Sequence, residues 1–243
     1  LGDFLQSISV INEKFYQTGK KGILYITNGM GGGTFKKGLE TTYNDTYNII
    51  SSQRYISKYE IYKEQPFDIN LNHWYKSSLL YKQNWYYIYK SIYNIEWGSH
   101  PWIQTTYDAK WKDRIVINMM NYRPSINIDY YKLYQLYGNS LLFISFEREY
   151  YDSFVSFTGL NIEYYMPSSF TEACIIINSC KLFVATMSAL LCVGHALHKN
   201  RIIGLNSYEG DSIHNMNLEN IWKNIYYYTT HTEGGDSFNS STV

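Results

Sequence analysis

The segment SCKLFVATMSALLCVGHALHKNRIIGL, residues 179–205, holds a strand, a turn, a helix and a second strand in one short run. Leu182, Phe183 and Val184 are apolar without alternation, and Ser188 supplies a helix-starting hydroxyl before a run rich in helix formers. Strands that stay apolar from residue to residue belong in a parallel sheet covered on both faces. Working outward, the same rhythm continues. Strands are predicted at 115–118, 141–145, 162–164, 181–184 and 201–205, with helices at 128–137, 147–157, 169–177 and 188–198. Gly138 and Gly159 stand as stop signals, and Ser168 or Ser169 caps the helix at 169–177. A last helix is expected at 218–228, before a polar tail from Thr232. Strands alternating with helices mean βαβ units, so the fold class is α/β with a parallel sheet.

The first half carries a weaker signal. Phe4, Ile8, Ile11 and Phe15 recur at helical spacing over 4–16, with Gly19 as a stop. The run GILYIT at 22–27 reads as a buried strand opening into a glycine-rich loop that contains Gly31 and Gly32. That loop is neither a G-x-G-x-x-G fingerprint nor a P-loop, so it is a flexible loop or a plain turn. Further strands are expected at 59–63 and 67–71, and partial helix in the aromatic stretch 73–95. Gly98, Pro101 and polar residues suggest that 98–113 connects two halves. The expected division is a domain at 1–110, a second at 111–231 and a tail at 232–243.

Composition narrows the function classes. With 21 basic and 21 acidic residues the chain lacks the basic excess of a general nucleic-acid surface. Its 27 tyrosines are explained either by codon bias or by rings that stack on sugars. Cys174, Cys180 and Cys192 match no zinc or redox spacing and sit among apolar neighbours, as buried reduced thiols do. His195 and His198 share a helix at metal-ligand spacing, although core or surface histidines account for the pair about four times as readily. No apolar run is long enough to span a bilayer. Asn44 and Asn239 head glycosylation sequons, and the chain opens on Leu1, so its natural start and any targeting segment can lie upstream.

Three stretches together resemble the ADP-heptose:lipopolysaccharide heptosyltransferase family of GT-B glycosyltransferases. Leu1-Gly2-Asp3, running into a helix and then the strand at 22–27, is similar to that family's opening L-G-D motif. In 179–205, Leu182-Phe183-Val184, Ser188, Ala196-Leu197 and Lys199 fall in register with its nucleotide-phosphate element. Where the family has Asp-x-Gly-x-x-His, this chain has Met187, Ala189 and Cys192. The order of elements over 114–205 is similar to the family's second domain.

The resemblance implies two Rossmann-like domains facing each other across a cleft, with Asp3 as general base. Asp3 alone reads as an ordinary helix cap. Gly2, Gly31 and Gly32 would lie on the acceptor side. Thr186, Ser188 and the helix amides would hold the donor diphosphate, since a helix N-terminus favours anions. Arg123 would reach the phosphates and Glu147 the ribose, or Arg123 is a surface residue and Glu147 a partner of the helix dipole. The implied activity is inverting sugar transfer from a nucleotide-sugar to a glycan or lipid-linked acceptor, without metal or cofactor, in the cytoplasm, with peripheral membrane contact allowed. The alternative is a non-catalytic nucleotide- or glycan-binding protein on the same scaffold. An unrelated Rossmann-like epimerase or dehydrogenase would need a dinucleotide fingerprint that the chain lacks.

Overall fold

A computed structural model describes residues 1–28, 34–79, 85–122, 124, 128–204 and the backbone of 226–227. In chain order the elements are α1 (Gly2–Ser7), α2 (Ser9–Thr18), β1 (Gly22–Ile26), α3 (Leu39–Ser51), β2 (Ile56–Ile61) and α4 (Trp85–Tyr93). There follow β3 (Ile115–Asn118), α5 (Tyr130–Tyr137), β4 (Leu141–Ile144), α6 (Arg148–Thr158), β5 (Glu163–Tyr165) and α7 (Phe170–Ser179). The last are β6 (Leu182–Thr186), α8 (Ala189–Ala196), β7 (Arg201–Gly204) and β8 (Tyr226–Tyr227).

The second half is a parallel sheet in the order β5-β4-β3-β6-β7-β8. The chain starts in the middle at β3, winds outward through β4 to β5, then returns to β6 on the other side. That is the doubly wound, Rossmann-like order, with its switch point between β3 and β6. Alternate residues face opposite layers. Ile115, Ile117, Phe143 and Val184 pack with Tyr130, Leu133 and Phe154 of α5 and α6. Val116, Leu142, Phe183 and Ala185 pack with Ile176, Ile177, Leu191 and Val193 of α7 and α8. Both faces are therefore buried, as the uninterrupted apolar strands require. Ser169, rather than Ser168, caps α7 by accepting from the Glu172 amide at 3.1 Å. Ser168 instead donates from its hydroxyl to the Glu172 carboxylate.

The first half is a β1–α3–β2 unit whose two strands pair in parallel as a separate small sheet. The core on the α7/α8 side of the large sheet continues into it without a break, through Leu5, Ile8, Leu24, Ile26 and Ile50. Helix α1 lies beside α8, and α3 beside α7. The connection 98–113 is wedged between the halves. The Trp102 indole N–H donates to the Leu5 carbonyl at 2.8 Å, its amide donates to the Ala196 carbonyl at 3.0 Å, and its own carbonyl accepts from the Tyr55 hydroxyl.

Several expectations need correction. The helix at 4–16 is two helices meeting at Ile8. No strand forms at 67–71: Pro66 lacks an amide hydrogen, and Phe67 and Ile69 stand exposed rather than alternating into a core. The strand expected at 59–63 runs instead from Ile56 to Ile61. In 73–95 a 3-10 turn spans His73–Lys76 and α4 begins at Trp85. Helix α3 was not expected at all, because its buried face is made of Thr42, Thr46, Ile49 and Ile50 and half of it is polar by type. Thr46 donates to the Thr42 carbonyl and pairs with the Tyr59 hydroxyl. The sequon at Asn44 is thus helical with a fully buried threonine, which is no glycosylation loop. Tyr226 and Tyr227 pair with β7 as strand where helix was expected. The rest of 218–228, the tail at 232–243 and the Asn239 sequon lie outside the described residues. Among the described residues no helix is long and apolar enough to cross a membrane.

Candidate functional site

Ligands of doubly wound sheets bind outside the strand carboxyl ends at the switch point. Here β3 ends on Asn118, a buried amide after three apolar residues. Its Nδ2 donates to the Ile144 carbonyl at 2.9 Å, and its Oδ1 accepts from the Ser188 hydroxyl at 2.9 Å. Ser188 in turn caps α8 by accepting from the Leu191 amide at 3.1 Å. Thr186 accepts from the Met120 amide at 3.0 Å, so its hydroxyl oxygen already serves the loop after β3. One buried asparagine therefore ties β3, β4 and the start of α8 together. Sequence reasoning passed over Asn118, although a polar residue closing an apolar strand was the signal.

The first half meets this edge directly. Gly2 lies so close to α8 that a methyl group there would sit 3.2 Å from Cys192 Sγ and 3.9 Å from the Ser188 carbonyl. Gln6, one turn later, donates to Cys192 Sγ at 3.2 Å. Helices α1 and α8 thus begin side by side. Gly2 therefore packs closely on the first turn of α8. Cys192 is a junction residue whose thiol is pushed up to about 12 by burial. Cys174 and Cys180 are buried free thiols, raised by the same cause.

Asp3 is not a cap. Leu1 occupies the N-cap position of α1, and Asp3 falls in the first turn, exposed to solvent. Its Oδ2 accepts from the Tyr75 hydroxyl at 2.5 Å, and the Tyr75 ring stacks on the buried Trp74 with centroids 3.5 Å apart. Nothing in a chain so rich in tyrosine singled out Tyr75 beforehand. Asp3 also borders a groove of about 470 Å³ that runs along β1.

Glu147 precedes α6 without a side-chain cap bond, and its Oε1 lies 4.0 Å from Lys36 Nζ. Lys37 stands 5.7 Å over the Phe146 ring. The loop after β1 therefore overlies the end of β4. Arg123, Gly31 and Gly32 lie outside the described residues.

His195 is buried in an aromatic box, stacked on Trp97 with Trp102 at 5.1 Å. Its Nδ1 accepts from Arg201 Nη2 at 2.7 Å. Burial and the neighbouring guanidinium hold the imidazole well below its usual pKa, and burial lowers Arg201 to about 10. The neutral ring is part of the core. Among the described residues no cluster of three His, Cys, Asp or Glu side chains gathers to hold a cation.

No protein-family model, curated protein or solved structure matches this chain.

Proposed function

We propose that the protein is a glycosyltransferase of the two-domain GT-B type, inverting and metal-independent. A nucleotide-sugar lies on the second half, its diphosphate over the first turn of α8, with Ser188, Thr186 and Arg123 around it and Glu147 at the ribose. A glycan or lipid-linked acceptor approaches from the first half. Asp3 takes the proton of its attacking hydroxyl as the anomeric bond to the diphosphate breaks. The observation that carries this reading is the side-by-side start of α1 and α8 at the switch point. It brings the first turn of α1, which carries Asp3, beside the first turn of α8. Tyr75 engages Oδ2 of Asp3, which leaves Oδ1 for the acceptor.

A second reading is a nucleotide- or glycan-binding protein without catalysis. It draws on Met187 and Cys192, which remove two polar side chains of the family's phosphate element.

Thermal shift with nucleoside diphosphates and nucleotide-sugars tests binding, since a ligand of the folded state raises its melting temperature. No response to any of them sinks the glycosyltransferase reading and the nucleotide-binding form of the second. With a donor that binds, Asp3→Asn is expected to keep donor affinity while turnover falls about 10²–10⁴-fold, the usual loss for a general base. Full turnover in that variant overturns the base assignment. A wild type inactive with every bound donor favours the second reading.

A further inference from the structure

The groove beside Asp3 is bounded along its whole length by β1 and the residues that flank it, from Lys20 to Thr27. One wall is the α1–α2 face and the other is the segment 66–72 with Tyr75. Among the described residues β1 pairs with β2 alone. The Gly22 amide donates to the Tyr55 carbonyl, and the Ile26 carbonyl accepts from the Tyr62 amide. Those groups point to β2. In a strand the direction alternates, so Ile23 and Tyr25 turn their N–H and C=O toward the groove. Around the rim Leu1, Ile23, Phe67 and Ile69 are large apolar side chains exposed to solvent.

Charge is arranged along the same axis. Ile11 touches Gly22 at the start of β1, while Phe4 packs on Phe35 beyond its end. Helix α1–α2 therefore runs antiparallel to β1, which puts Asp3 at one end of the groove and Lys14, Lys20 and Lys21 at the other. Among the described residues no ion pair holds these three lysines.

We propose that this edge is a strand-acceptor site for a partner polypeptide. The occupant is one extended segment of about five or six residues, the length of β1, apolar at alternate positions and acidic at the end that meets the lysines. A backbone repeats donors and acceptors at the spacing the edge offers, and alternate side chains cover Ile23, Phe67 and Ile69. The edge is recessed between two walls, so a single strand enters where the edge of a second folded copy does not. This proposal stands independently of the glycosyltransferase reading.

The test uses the full chain and a fluorescent eight-residue peptide with alternating Val and Thr and two Asp at one end. The control peptide has proline at every second position. Saturable binding of the first peptide alone is expected, weakening as salt rises. Hydrogen exchange at Ile23 and Tyr25 slows on binding. The paired change K20E and K21E, at exposed positions, reduces affinity at least about tenfold with the melting temperature unchanged. The separate variant Ile23→Glu does the same through the lost apolar contact. No binding, equal binding of the proline peptide, or unaltered exchange at 23 and 25 overturns the proposal. So does a wild-type dimer in which those amides are already protected without peptide.

Discussion

In the second half β3, β4 and β6 are buried on both faces, whereas β1 in the first half alternates Leu24 and Ile26, inside, with Ile23, 48 % exposed. The two regions use the same βαβ connection and differ in what covers the strands. The large sheet is filled by helices on each side, and every residue of β3 and β4 is buried. The small sheet is filled on the helix side only, and its outer face and one edge meet solvent. A strand's sequence thus reports how many of its surroundings are occupied.

The sharpest way to break this comparison is to cut the same kind of side chain from each sheet. Phe183→Ala, at the centre of the large sheet and fully buried, is expected to cost about 3–5 kcal/mol in urea unfolding. A loss under about 1 kcal/mol would mean that the α7/α8 layer collapses into the space, and the contrast between halves would fail. Gly194→Ala probes the same layer by overfilling it. A methyl there would lie 2.8 Å from Phe183 Cδ1, so a cost of about 1–3 kcal/mol is expected from thermal melting.

Glu172 gives a smaller, pH-dependent effect. Its carboxylate accepts from the Tyr165 hydroxyl and from Ser168, which hold its pKa below the usual range. A depressed pKa contributes stability above the unfolded value of about 4.3, and that contribution is lost as pH falls through the folded value. Glu172→Gln should therefore lower stability near pH 7 by less than about 1 kcal/mol, because the group is solvent-screened. Wild type and variant should converge as acid is added, read from urea midpoints across pH. The smallest effect is expected at Ile23→Ala, within about 0.5 kcal/mol of wild type. A cost like that of Phe183→Ala would show that β1 is covered after all.

The large sheet was legible because its signals are redundant. Apolar strands, glycine stops and the serines at 169 and 188 all mark the same boundaries. Helix α3 was hidden because Thr42 and Thr46 bury hydroxyls that satisfy themselves on local carbonyls, so a core face looks polar by type. The expected strand at 67–71 was the reverse case, apolar residues that line a groove instead of a core. At the candidate site, Ser188 was readable from its place before an apolar helix, and its capping geometry followed. Asn118 and Tyr75 act through partners far away in sequence, at 188 and 3, and no local pattern encodes such pairings.

Trp102 links three parts of the chain that are distant in sequence: α1 through Leu5, the segment before β2 through Tyr55, and the end of α8 through Ala196. A connection that merely tethered the halves would let each melt on its own schedule. Here disorder in either half strips Trp102 of hydrogen-bond partners, Leu5 and Tyr55 on one side and Ala196 on the other. Heating in a calorimeter should accordingly give one endotherm, with van't Hoff and calorimetric enthalpies equal. A protease cut at Trp102 or Ile103, both fully buried, should need the surrounding core to open first, making cleavage there a report on the loss of that core.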